Sequence, residues 1–86
     1  MFENAFNKLA TADDVGKICI FSEQYPTKNK KAKIRLGILC AYIRGLDGVD
    51  YRCIVNGFEM SFEYCSVLTV EQFKEIQANP SSIFVD

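Results

Sequence analysis

The sequence predicts a mainly β domain, a small five-stranded antiparallel barrel with a short helix at each end, and three observations predict it. Short apolar runs recur between clusters of turn residues. An Asn56-Gly57 pair joins two of these runs, and both residue types accept the positive φ of a type I′ hairpin turn at little cost. Near the end, Thr69-Val-Glu-Gln72 has the pattern of a helix capping box.

A chain of 86 residues makes one domain, and at this size only roughly 60% of the unfolded surface can be buried. Its apolar fraction of 49% and charged fraction of 24% are those of a globular protein. No apolar run approaches the roughly 20 residues of a membrane span. MFENAFNKLA lacks the charged start and apolar centre of a signal peptide, so the expectation is a cytoplasmic protein with no membrane association.

Taken in order, Phe2, Ala5, Phe6 and Leu9 have the spacing of an amphipathic helix over 1–10, its stripe docked on the body of the domain or on a partner. Thr11 to Asp14 offers capping oxygens for a single helical turn, and Gly16 ends it. The barrel then spans 17–69. Lys17–Glu23 is apolar on both sides, with Ile18 and Ile20 opposite Cys19 and Phe21, and so requires cover on both faces. QYPTKNKKA reads as a loop.

Lys33–Arg44 is the longest strand candidate, and Gly37 in its middle is the expected bulge that bends the sheet. GLDGVD is a turn or short loop leading into the hairpin. The Asn-Gly turn sets Val55 against Phe58, Cys53 against Met60 and Tyr51 against Phe62 on an apolar face. Ile54 with Glu59 and Arg52 with Ser61 then lie on a wet face, where Arg52 sits between Glu59 and Glu63. Val67-Leu68 is a brief last strand. A helix over 70–78 follows, buried through Val70, Phe73 and Ile76, with Leu68 and Phe73 placed as a hydrophobic staple. The tail, 79–86, carries Ile83, Phe84 and Val85, a small apolar patch unless they return to cover a sheet edge.

This strand count and spacing fit a strongly bent, SH3-like barrel. The stretches DVGKICIF, LGILCAYIRG and EYCSVLTVEQF resemble small bacteriophage proteins of that barrel type, in which a D-x-G-K-x-C-x-F opening and a C-x-x-L-T-x-E close recur. The resemblance covers 14–73 and rests on a turn glycine, strand apolars and a helix cap. It implies a phage-encoded accessory protein acting on host or defence machinery, in the host cytoplasm.

The four cysteines, Cys19, Cys40, Cys53 and Cys65, lack the close C-x-x-C spacing of a zinc knuckle and sit in apolar runs, which favours free and mostly buried thiols. No histidine is present, so the commonest general base, metal ligand and nucleophile partner are missing. The carboxylates fall in turns or on the wet hairpin face, where they stay ionised and solvated. Neither catalysis nor a cofactor is expected.

Binding is the remaining class, and a host protein is the expected partner. KNKKAKIR, residues 28–35, holds five positive charges and no negative one. With Tyr25, the residues Lys28, Lys30, Lys31, Lys33 and Arg35 form one candidate surface, and Ile83 and Phe84 form a second. The basic loop also supports an alternative, a nucleic-acid-associated protein. The wet side of the hairpin around Arg52, Ile54 and Glu59 is the fallback face.

Overall fold

A computed structural model describes residues 5–23 and 34–79. The strands are β1 (Ile18–Ser22), β2 (Arg35–Gly45), β3 (Gly48–Val55), β4 (Phe58–Phe62) and β5 (Tyr64–Val67), followed by the helix α1 (Val70–Ala78). They form one antiparallel sheet in the order β4-β3-β2-β1-β5.

The hairpin follows its turn chemistry. Asn56 and Gly57 take φ of 51° and 83°, and the ladder pairs Val55 with Phe58, Cys53 with Met60 and Tyr51 with Phe62. A second tight hairpin joins β2 to β3 with Gly45 opposite Gly48, so β3 begins where the sequence suggested a loop. Thr69 caps α1 as its pattern requires: its hydroxyl accepts from the Gln72 N–H at 3.1 Å, and the Gln72 side chain accepts from the Thr69 N–H at 2.9 Å.

The bend in β2 lies at Cys40 and not at the expected Gly37. Gly37 pairs regularly with Cys19, whereas the ladder to β3 shifts register between Leu39 and Ala41. At this point β2 passes from one neighbour to the other. The Leu39 N–H donates to the Lys17 carbonyl, its carbonyl accepts from the Gly16 N–H, and its Cα lies opposite Cys53. The extra residue flips the alternation, so Leu39 and Tyr42 both face the core.

The sheet curls tightly around that core. Phe21 on β1 and Phe62 on β4 stand three strands apart in the ladder, roughly 14 Å in a flat sheet. Their ring centroids are 5.4 Å apart. Glu63 alone links β4 to β5, the two outermost strands of the order, so the edges meet at that corner. Between the described residues the edges do not pair, which corrects the closed barrel to a curled open sheet.

Ala10 fills the seam instead. Its N–H donates to the Cys65 carbonyl at 2.8 Å, and its carbonyl accepts from the Tyr51 hydroxyl at 2.7 Å. Burial, and then the neighbouring Tyr42, push the Tyr51 hydroxyl up to about 12, so it remains a donor.

Residues 5–10 are turns and bends rather than the expected helix, and the backbone groups of Ala10 are bonded to the sheet instead of to a helical turn. Phe6 is buried against Ile20 and Ile34, while Leu9 is exposed, which splits the predicted stripe. Phe2 lies outside the described residues. In α1 only Ile76 of the predicted buried stripe packs inward, against the Phe6 cluster, and Val70 and Phe73 are exposed. The expected strand at Val67-Leu68 lies earlier, at 64–67, because the chain breaks direction at Glu63.

Candidate functional site

The inner face of the sheet is closed at its centre, while Phe58 at the hairpin end is 75% exposed. Cys19, Phe21, Leu39, Tyr51, Cys53, Phe62 and Cys65 are buried at that centre, with Ala10 as their lid. Among the described residues the outer face is covered at one end, where Phe6, Leu68 and Ile76 pack around Ile20 and Ile34.

Beyond that end the outer face carries an open aliphatic stripe. Ile18 lies opposite Ile38, and Ile20 lies opposite Leu36, so these four share one face. Cys53 pairs with Leu39 on the inner face, which puts Ile54, the next residue of β3, on the outer face beside Ile38. Leu36 is 39% exposed, Ile18 54%, Ile54 55% and Ile38 56%. Four neighbouring aliphatic side chains left roughly half in water on one sheet face form a contiguous apolar patch, the kind of surface on which interaction sites are built.

Ion pairs frame the stripe on the side of β4. Arg52 reaches Glu59 at 2.8 Å and Asp50 at 3.1 Å, and the Ser61 hydroxyl donates to Asp50 at 3.3 Å. The expected contact of Arg52 with Glu63 is replaced by Asp50, because Glu63 belongs to the corner between β4 and β5. The hydrogen bonds to Glu59 and then to Asp50 hold the guanidinium above its ordinary value. At the other end of the stripe, Asp14 accepts from the Thr11 N–H at 2.9 Å and pairs with Lys17 at 2.9 Å, and these contacts hold its carboxyl below the ordinary value.

Of the residues singled out from the sequence, Arg35 alone falls within the described region. It lies opposite Phe21, so it belongs to the inner face and is separated from the stripe. Tyr25, Lys28, Lys30, Lys31, Lys33, Ile83 and Phe84 lie outside the described residues. The wet side of the hairpin adjoins the stripe, with Ile54, Arg52 and Glu59 at its edge.

The cysteines are free, three of them buried, with Cys40 exposed at the bulge. The hydrogen bond with Cys19 and then burial raise the Cys65 thiol, and burial raises Cys53. These thiols stay protonated and behave as small apolar groups. Among the described residues, no three side chains able to hold a metal come together, and no helix is long and apolar enough to cross a membrane.

A recess of about 510 Å³ at the β2–β3 turn is lined by Asp47, Asp50 and Glu63 with Ile43, Leu46 and Tyr64. Its best-placed carboxylate, Asp50, is already engaged by Arg52 and Ser61. Comparison with protein-family models, curated proteins and solved structures gave no match for this chain.

Two signals of the stripe are in the sequence: Lys17–Glu23 is apolar on both sides, so that Ile18 requires cover opposite Cys19 and Phe21, and Ile54 interrupts the polar side of the hairpin. What joins them is the register of β1 on β2, and no turn signature fixes that register.

Proposed function

We propose that this chain is a non-enzymatic binding module of the SH3-like barrel type, a phage-encoded accessory protein that works in the host cytoplasm by docking a host protein on the stripe of Ile18, Leu36, Ile38 and Ile54. The stripe itself carries the reading. An apolar centre beside a rim of ion pairs is the anatomy of a protein interface, and nothing in folding alone requires these side chains to face water. The barrel type is supported by the strand order, by the curl that brings Phe21 to Phe62, and by the one-residue link at Glu63. The resemblance over 14–73 supports the phage origin, and the lack of histidine supports a binding role over catalysis.

Capture from a lysate of the bacterial host, with the bound protein identified by mass spectrometry, tests the reading when it is run with variants. Ile38→Asp with Ile54→Asp is expected to weaken capture of the identified protein about tenfold or more while the fold persists, and added salt has little effect on an apolar contact. The alternative, nucleic acid held by residues 28–35, gives the opposite pattern. Capture would then fall steeply with salt, and reversing Lys30 and Lys31 to glutamate would abolish it while the stripe variant bound normally. That result overturns the proposal.

A further inference from the structure

We infer that a groove beside β5 is a second binding site, one that takes a short zwitterionic peptide in extended form as an added strand against Val67. The site is separate from the stripe and stands without the reading of the stripe as a docking face.

The groove has a volume of about 600 Å³, within the range of ligand sites, and lies between residues 5–14 and the junction of β5 with α1. The direction of the backbone gives the ligand class. β5 is an outermost strand of the sheet, and the Leu68 N–H donates to the Ile18 carbonyl at 3.0 Å. In an antiparallel ladder alternate residues turn their polar groups to the same neighbour, so Ser66 serves β1 as Leu68 does, while Cys65 and Val67 face the open edge. There the Cys65 carbonyl is taken by the Ala10 N–H. The N–H and C=O of Val67, next along that edge and lining the groove, have no hydrogen-bond partner among the described residues. A donor and an acceptor of one residue, side by side at a strand edge, are the pair that a peptide backbone fills.

A buried side chain agrees with that class. Ser66 lines the groove and is 7% exposed, and its hydroxyl finds no partner among the described residues. An unpaired buried hydroxyl destabilises, and an amide group of a bound peptide satisfies it. Charge then defines the ends of the ligand. Asp14 is engaged by Lys17 and Thr11, and Thr69 and Gln72 cap each other. Lys8 and Asp13 remain on the walls, one of each sign, and neither has a hydrogen bond or ion pair to a described residue. A carboxylate for Lys8 and an ammonium for Asp13 are the two termini of a free peptide. Leu9, 40% exposed, gives an apolar wall for a side chain between them.

The test titrates the tripeptide Ala-Leu-Ala, with free termini, into the isotope-labelled full chain and follows the backbone amides by NMR. The Val67 amide proton is expected to move downfield as it gains a hydrogen bond, and to saturate at millimolar peptide or below. Ser66→Ala is expected to keep or raise the melting temperature of the free protein while weakening binding about fivefold, the loss of one hydrogen bond. Asp13→Asn and Lys8→Gln, at exposed positions, should each weaken binding by a few-fold, and a peptide blocked at both termini should bind correspondingly worse. Ile38→Asp, on the stripe, should bind the peptide normally.

No saturable movement of the Val67 amide overturns the inference, and that readout needs only the unaltered chain. Free leucine binding as tightly as the tripeptide also overturns it, since the strand edge would then contribute nothing. A blocked peptide that binds equally well, or inorganic phosphate that moves the same amides at lower concentration, overturns it by removing the zwitterion. Binding that is lost with Ile38→Asp and untouched by Asp13→Asn overturns it as well, because the peptide would then lie on the stripe.

Discussion

The inner and outer faces of the sheet are made by the same strands from equally apolar residues, yet the inner side is sealed around its centre, while among the described residues the outer side is covered only around Ile20 and Ile34. On β1, Cys19 and Phe21 are sealed inside, while Ile18, one residue away, is half exposed. Hydrophobicity does not separate them. What separates them is whether another part of the chain arrives to cover the face: curvature brings β4 and β5 over the inner side, and Ala10 fills the gap. On the outer side the cover formed by the described residues ends with Phe6 and Ile76. The difference teaches that a sheet face left open by the described residues is where binding is to be sought.

Three experiments sharpen or break that contrast. The largest effect is expected in thiol chemistry. Cys40 should react with a thiol reagent at nearly the rate of a free thiol, and Cys19, Cys53 and Cys65 roughly a thousandfold more slowly or less, since they are reached only by opening a core stabilised by several kcal/mol. Mass spectrometry of the labelled protein counts them, and four fast thiols would mean that the inner face is not sealed.

Next is the core itself. Phe21→Ala is expected to destabilise by about 3–5 kcal/mol, because it empties the centre of the curled sheet and removes the contact with Phe62. Denaturant unfolding measures this. The smallest effect belongs to the outer face: Ile38→Ser should shift stability by roughly 0.5 kcal/mol or less, since more than half of the side chain is already in water. If Ile38→Ser destabilised as much as Phe21→Ala, the outer face would be core, and the stripe would lose its claim to be a docking surface.

Legibility from the sequence followed the strength of local signals. The β3–β4 register and the ends of α1 could be read residue by residue, since Asn56-Gly57 and the Thr69–Gln72 box act over a few positions. The bulge could not be placed. Cys40 has no conformational signature and Gly37 does, yet the bend is set by β2 exchanging one partner strand for another, a tertiary event.

The break at Glu63 was hidden for a related reason: FEYC continues the apolar alternation straight through the corner. The N-terminal segment misled because i, i+3, i+4 spacing fits a helix, while the backbone of Ala10 makes its bonds to Cys65 and Tyr51. As for the site, the hairpin analysis placed Ile54 on the correct face. The stripe as a whole lay beyond reach without the pairing of β1 on β2.

The one-residue corner at Glu63 also bears on how the molecule reaches its shape. The pairings of β2 with β3 and of β3 with β4 close across two-residue turns and can zip within microseconds. β5 must instead find β1, with Cys19 opposite Val67, and that contact spans more than half of the sequence. Mixed local and distant pairing of this kind places the rate-limiting step at the distant one. Until β5 is laid down, the three-stranded meander has no β4-to-β1 contact to roll it shut, and the aromatic rings of Phe21 and Phe62 stay apart. Lengthening the corner by a few glycines would let β4 and β5 move independently and slow that final closure, while the early hairpins would form at their own pace.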